Sequence, residues 1–138
     1  MRIRKLTVAA VAAAILGASA SAQARDIVGF SGNYAGGTIV VHTSERALYY
    51  VIGDGRALRY TVGVGKRGKQ WGGTATIDGK HLSPAWAPPP EVKRDNPHLP
   101  DLIPGGSPRN PMGAAALTLS GGQYAIHGTN VPGSIGGF

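Results

Sequence analysis

The stretch that decides the fold is residues 38–64, TIVVHTSERALYYVIGDGRALRYTVGV. Three short runs of β-branched, aliphatic and aromatic residues are separated here by two polar turns. In the third run apolar and polar residues alternate, and a period of two is typical of a half-buried strand. The second turn contains Asp54-Gly55, a pair that tolerates the positive φ angles of a tight hairpin. The stretch therefore predicts a three-stranded meander.

Downstream of the meander the sequence predicts more short strands. Residues 73–77 (GTATI) predict one strand, and residues 116–119 and 123–127 predict a hairpin across Ser120-Gly121-Gly122. Residues 81–111 contain nine of the ten prolines, and no helix or strand is predicted there. The apolar residues of this segment predict an ordered loop packed over the sheet: Trp86, Leu99, Leu102 and Ile103. The fold class is mostly β.

The N-terminal end reads as an export signal. Residues 1–5 (MRIRK) are basic, residues 6–18 are apolar or small, and residues 18–24 (ASASAQA) offer A-x-A cleavage sites. This order is typical of a secretory signal peptide, and the apolar run is short for a membrane span. We expect cleavage after Ala24, then a short linker over residues 25–37. The predicted location is the periplasm or cell envelope, with membrane contact only during export.

Composition excludes several classes of function. Three of the 14 Lys and Arg lie in residues 1–24, so 11 remain against 7 acidic residues, a net charge of +4. The basic residues are scattered, which does not favour nucleic acid as a partner. The 138 residues contain no cysteine, and the four histidines lack metal-ligand spacing, so neither a metal nor a cofactor is predicted.

Motifs for nucleotide binding and serine hydrolysis fail on context. Residues 63–68 match G-x-G-x-x-G, but residues 69–73 (KQWGG) do not open the helix that a dinucleotide fingerprint requires. The G-x-S-x-G elbow of hydrolases is absent, and Ser107 and Ser134 lie in loop sequence. Nothing in the spacing of the acidic residues brings two carboxylates together.

The segment that carries chemistry is residues 124–130, YAIHGTN. Here His127 closes an apolar run and is followed by Gly128, Thr129 and Asn130. Together with earlier motifs in the same order, this segment resembles the L,D-transpeptidase (YkuD-type) catalytic domain. Residues 71–77 depart from the family by lacking the proline of its Thr-Pro-x-Gly piece. The segments that carry the resemblance are residues 39–50, 62–66, 71–77, 82–90 (LSPAWAPPP), 104–113 (PGGSPRNPMG) and 126–136.

The resemblance implies an L,D-transpeptidase-like β-sandwich or mixed sheet over residues 38–138. It implies acyl transfer on peptidoglycan stem peptides by a cysteine nucleophile, with His127 as base and Gly128 orienting the imidazole through its backbone. Trp86, Thr129 and Asn130 match positions expected to contact substrate. The family's Ser-x-Gly-Cys-x-Arg motif, which carries the cysteine that carbapenems acylate, is expected after the Ile135-Gly136 pair. We therefore expect the domain to be incomplete at its C-terminus and inactive as given.

Three interpretations remain open from sequence. The first is a transpeptidase-family protein that cross-links stem peptides or attaches an envelope protein to them. The second is a non-catalytic peptidoglycan-binding remnant that uses the same cleft. The third is an exported β domain with a structural role.

Overall fold

The computed structural model describes residues 26–122 and 124–137. The predicted signal peptide and its cleavage site, residues 1–24, lie outside the described residues. Within the described part, no helix is both long and apolar enough to cross a membrane.

A four-stranded antiparallel sheet forms the N-terminal half, and we call it sheet A. Its strands follow the spatial order β1-β4-β3-β2. The three later strands are joined in sequence as antiparallel neighbours, which confirms the predicted meander. The strands are β1 (Asp26–Gly29), β2 (Ile39–His42), β3 (Ala47–Gly53) and β4 (Arg56–Thr61).

The turn between β3 and β4 follows the chemistry that its sequence indicates. Asp54 and Gly55 have φ angles of 52° and 66°, so both central residues of the turn lie in the left-handed region. Two positive φ angles match the right-handed twist of the flanking strands, which is why Asp-Gly is favoured there. The register shifts between Val51 and Gly53, just before the turn.

Strand β1 lies within residues 25–37, where the sequence predicts a short linker. Asp26–Gly29 pairs with β4, with Ile27 opposite Leu58 and Val28 opposite Ala57. Phe30 then stacks on Tyr49, with ring centroids 4.8 Å apart. These four residues have weak strand character alone, but the otherwise unpaired edge of β4 supplies backbone partners for them.

A second, three-stranded antiparallel sheet, sheet B, forms the C-terminal half in the order β5-β6-β7. The hairpin predicted across Ser120-Gly121-Gly122 is confirmed, because β6 pairs with β7. The prediction of a strand at residues 73–77 is wrong except for Ile77. The strand in this region is β5, which begins at Ile77 because the residues from there onwards pair with β6. The strands are β5 (Ile77–Leu82), β6 (Ala115–Leu119) and β7 (Ala125–His127).

The proline-rich segment contains structure that its composition did not predict. Helix α1 (Pro90–Asp95) begins with proline, has Glu91 in its first turn and has basic residues in its last. Proline suits the first helical position, and these charges complement the helix dipole. Trp86 and Ile103 then form an antiparallel bridge that closes the loop around the helix. The expectation of a segment without elements is therefore wrong.

The fold is mostly β, as predicted, and every strand pair of sheets A and B is antiparallel. A small apolar core lies on sheet A around Ala47, Tyr49 and Ala57. The chain after β7 returns to this sheet, because Gly136 N donates to Val62 O at 3.2 Å. Val64 N donates to Gly137 O at the same distance. These two bonds place the C-terminal segment beside the end of β4.

Candidate active site

The imidazole of His127 lies at the last position of β7, where the strand gives way to a loop. Its backbone is opposite Ala116 of β6, and the next amide, Gly128 N, donates to Ala115 O at 2.9 Å. The side chain is exposed. A paired strand end therefore fixes the backbone of His127 while leaving its ring exposed to solvent.

A short hydrogen bond sets the state of the His127 ring. Nδ1 lies 2.7 Å from the carbonyl oxygen of Gly128. A carbonyl oxygen only accepts, so Nδ1 must carry the proton in this contact. In the neutral imidazole the lone pair is then on Nε2, the arrangement that a general base needs.

The Gly128 peptide packs directly against the turn at residues 110–113. A Cβ atom at Gly113 would lie 2.5 Å from Thr129 N and 2.8 Å from the carbonyl carbon of Gly128. Gly113 also has a φ of 64°, a value that suits glycine. Two backbones therefore meet here without a side chain between them, and the carbonyl that holds His127 is part of that contact.

Thr129 and Asn130 continue the loop and make bonds of their own. The Thr129 hydroxyl oxygen accepts from Val131 N at 3.0 Å, and Asn130 Nδ2 donates to Pro108 O at 3.0 Å. Asn130 also lines a cleft of about 390 Å³. The cleft is lined by Ser83, Gly106, Ser107, Pro108, Asn110, Gly113, Ala114 and Asn130.

Trp86 belongs to the proline-rich segment that precedes helix α1. Its backbone exchanges hydrogen bonds with Ile103, at 2.9 Å and 2.8 Å, and its side chain is half-buried. The structure thus brings together four of the five predicted site residues, because His127, Gly128, Thr129 and Asn130 are consecutive. Among the residues that the structure describes, Trp86 is not one of those that line the cleft with Asn130.

Asn110 lines the cleft, and residue patterns alone did not single it out. Its side chain is only 1 % exposed, and both ends of its amide are hydrogen-bonded to backbone. In the sequence, Asn110 follows Arg109 in a short polar stretch between Pro108 and Pro111. No periodicity marks a buried residue in a loop, so only its place in the family-like Asn-Pro-x-Gly segment could have drawn attention to it.

A second polar cluster lies on sheet B. Thr118 donates to Asp78 Oδ1 at 2.6 Å, and its hydroxyl oxygen lies 3.5 Å from His81 Nε2. His81 and His127 are both opposite Ala116, so they share one face of the sheet about 10 Å apart, two strand spacings. Across residues 26–122 and 124–137, no three His, Cys, Asp or Glu side chains are grouped to hold a metal.

An ion pair joins the glycine-rich turn after β4 to helix α1. Lys69 Nζ donates to Asp95 Oδ2 at 2.7 Å, and this bond with its charge holds the pKa of Asp95 below its ordinary value. Both side chains are about half-exposed, so solvent weakens their attraction. The pair crosses a cleft of about 500 Å³ lined in part by Val92 and Leu99.

The family model described as the L,D-transpeptidase catalytic domain, YkuD, matches residues 36–137. This chain belongs to the YkuD L,D-transpeptidase family. The match includes both sheets except β1, the turn at residues 110–113 and the strand end at His127.

Named relatives are similar to the same part of the chain. Probable L,D-transpeptidases ErfK/SrfK and YbiS of Escherichia coli K12 are each 36% identical over 107 residues. Probable L,D-transpeptidase YcfS of the same strain is 34% identical over 111 residues. Each match covers 71% of this chain and 33% or 34% of the relative. The chain therefore spans about a third of the length of these curated relatives.

A solved structure shares the fold. It is entitled a probable carnitine operon oxidoreductase CaiA from Brucella melitensis, is 38% identical and has a TM-score of 0.68. The match covers 79% of this YkuD-family chain and 71% of the solved one. The fold of sheets A and B is thus found in an experimentally determined protein.

Proposed function

We propose that this chain supplies the base-bearing part of an L,D-transpeptidase active site that acts on peptidoglycan stem peptides. The observation that carries the proposal is the 2.7 Å contact between His127 Nδ1 and the Gly128 carbonyl. It leaves Nε2 as the proton acceptor on an exposed ring at a strand end. Family membership supplies the reaction class, and the YkuD-type relatives are named for it.

The proposed reaction transfers an acyl group in two steps. Nε2 of His127 takes the proton of a cysteine thiol, and the thiolate attacks the carbonyl between an L- and a D-centre of a stem peptide. The C–N bond breaks, and the departing D-residue takes the proton from His127 and leaves as an amine. An acceptor amine then attacks the thioester, loses a proton to His127 and releases the thiol. The acceptor is a second stem peptide or an envelope protein.

Substrate contacts are assigned to the loop that follows His127. Asn130 lines the 390 Å³ cleft. Thr129 lies between Gly128 and Asn130 in the chain. Trp86 is proposed as a more distant contact for the stem peptide, on the ground of its family motif alone. These assignments predict that substrate reaches His127 along the cleft that Asn130 lines.

The nucleophile is not among these 138 residues, which contain no cysteine. This favours a second candidate function for the chain as given, binding of stem peptides without turnover. The two functions differ in whether a supplied Ser-x-Gly-Cys-x-Arg segment completes a working site.

An oxidoreductase function, as in the name of the Brucella relative, has less support in this chain. The glycine motif at residues 63–68 follows β4, as a dinucleotide fingerprint would. However, the first helix of the described part begins only at Pro90, so no helix N-terminus receives a pyrophosphate at that turn.

The test is acylation by a carbapenem, followed by intact mass. The 138-residue chain should show no adduct. A fusion that continues the chain with the corresponding C-terminal segment of ErfK/SrfK should gain the mass of one carbapenem. In the fusion, His127→Ala should slow acylation by at least about a hundredfold, the usual contribution of a general base.

Matched variants make the outcome specific. The Cys→Ala fusion should show no adduct, and His98→Ala, which alters an exposed histidine beyond α1, should react at the parent rate. Normal acylation of the His127→Ala fusion would contradict the proposed base. A folded fusion that binds a tetrapeptide stem without reacting would favour the binding function instead.

A further inference from the structure

The amide of Asn110 joins three segments of the loop region. Nδ2 donates to Pro84 O at 2.8 Å and to Pro104 O at 3.1 Å, and Oδ1 accepts from Met112 N at 2.9 Å. The side chain is buried, so these bonds replace the water it would otherwise bind. Removing the amide would leave backbone groups of all three segments without their partner, and the turn after Asn110 would lose its anchor.

That turn is the surface on which the Gly128 peptide rests. A Cβ built at Gly128 lies 3.2 Å from Met112 O and 3.2 Å from Ala114 N, so the two backbones are in direct contact. The backbone of Met112 is held by Asn110, because Met112 N donates to Asn110 Oδ1. A shift of the turn would therefore move or release the Gly128 carbonyl.

We infer that Asn110 is a positioning residue for His127. It holds the turn at residues 110–113, the turn holds the Gly128 peptide, and the Gly128 carbonyl keeps the proton of His127 on Nδ1. The catalytic meaning of this chain of contacts rests on the proposed function, in which Nε2 is the base. The effect on the ring itself does not, because it requires neither a nucleophile nor a substrate.

A second tether on the other side of Gly128 fits the same role. Asn130 Nδ2 donates to Pro108 O at 3.0 Å, which ties the loop after Gly128 to the segment before Asn110. The backbone of Asn110 also accepts from Gly113 N at 3.3 Å and donates to Ser107 O at 2.9 Å. The segment at residues 107–113 is thus fixed both to itself and to the loop that carries Gly128.

The experiment is long-range ¹H–¹⁵N NMR of the histidine rings in the 138-residue chain, with His127→Gln to assign the signal. The parent chain should show neutral His127 mainly as the Nδ1–H tautomer. In Asn110→Ala the ratio of Nδ1–H to Nε2–H should fall about fivefold, the factor expected for loss of a typical hydrogen bond. Gly113→Ala pushes on the same peptide and should shift the ratio in the same direction.

Controls separate positioning from general loss of stability. Asn96→Ala removes an exposed amide after α1, and Val51→Ala destabilises the core of sheet A; both should keep the parent tautomer. A parent chain in the Nε2–H tautomer would overturn the inference. A folded Asn110→Ala variant with an unchanged tautomer ratio would also overturn it. If Asn110→Ala does not fold, a folded Gly113→Ala variant with an unchanged ratio would do so.

The proposed function and this inference fail in different measurements. A fusion that does not react with carbapenem would contradict the proposed function but not the predicted tautomer of His127. An unchanged tautomer ratio in Asn110→Ala would contradict the role of Asn110 but not the predicted reactivity of the parent fusion. If both hold, Asn110→Ala in the fusion should lower the acylation rate while the affinity for a tetrapeptide stem changes less.

Discussion

At the residue scale, one backbone carbonyl decides what His127 can do. An exposed histidine at the end of a strand has no fixed tautomer by itself. The Gly128 carbonyl, 2.7 Å from Nδ1, selects one, and the contact of Gly128 with Gly113 fixes the direction of that carbonyl. The tautomer of His127 therefore depends on two glycines whose lack of a side chain lets the two backbones touch.

A pH-dependent contribution belongs to Glu45, in the turn between β2 and β3. Tyr49 donates to its carboxylate at 2.7 Å, and this bond, followed by one from His42, lowers the pKa of Glu45 from its ordinary 4.5. Since the folded pKa is the lower one, the contribution is present above pH 4.5 and is lost as the pH falls through the folded value. Thermal unfolding should therefore move to lower temperature below about pH 4.5.

Two tyrosine variants test that assignment. Tyr49→Phe should raise the pKa of Glu45 towards 4.5, measured by NMR titration of its carboxyl group, and should flatten the dependence of Tm on pH. Tyr50→Phe alters the neighbouring ring, which is more exposed and makes no bond to Glu45 among those described. Equal effects of the two variants would contradict the assignment.

At the element scale, β3 shows how alternation becomes packing. Val51 is 5 % exposed and its neighbour Ile52 is 38 % exposed, because successive side chains of a strand face opposite sides of the sheet. The buried side faces Ala57 and the small core around Tyr49. A slip of one residue would exchange the two faces, so this contrast fixes the register.

Truncation of these neighbours should have unequal costs. Val51→Ala should lower the free energy of unfolding by about 2 kcal/mol, because it removes buried methyl groups and leaves a cavity. Ile52→Ala deletes more atoms but should cost less than about 1 kcal/mol, because much of that side chain is already in water. Urea unfolding at constant m value measures both; a larger loss for Ile52→Ala would refute the assigned faces.

At the scale of the whole molecule, the chain after β7 connects the two sheets. Residues 136 and 137 bond to Val62 and Val64, just after β4, while β7 itself belongs to sheet B. Trp71 and Tyr124 add an aromatic contact, with ring centroids 5.4 Å apart, between the segment after β4 and the start of β7. The candidate site thus lies where the C-terminal part of sheet B turns back towards sheet A.

Export is a prediction at this scale. Strand β1 begins at Asp26, so cleavage after Ala24 would remove no described strand. Mass spectrometry of envelope fractions should find Arg25, or a residue within a few positions of it, at the N-terminus. Recovery of the uncleaved chain from the cytoplasm would contradict export, and a variant with charged residues at positions 22 and 24 should remain uncleaved as a control.

Local patterns were sufficient for the elements whose signals lie in adjacent residues. The meander at residues 38–64, the Asp54-Gly55 turn and the hairpin at residues 120–122 follow from alternation and turn chemistry, which act over a few residues. The candidate base at residues 126–130 was proposed from the family resemblance and stays a prediction. The position of α1 was missed although its N-terminal proline and charge order are local signals.

The tertiary structure decided whatever depends on a distant partner. Strand β1 pairs along the edge of β4 that β3 leaves free, and β5 lies at Ile77–Leu82 because these residues pair with β6. Asn110 is buried because carbonyls 6 and 26 residues away converge on its amide. The family resemblance proposes His127 as a base, but the proton on Nδ1 depends on a contact between Gly113 and Gly128, and no local pattern encodes such a long-range backbone contact.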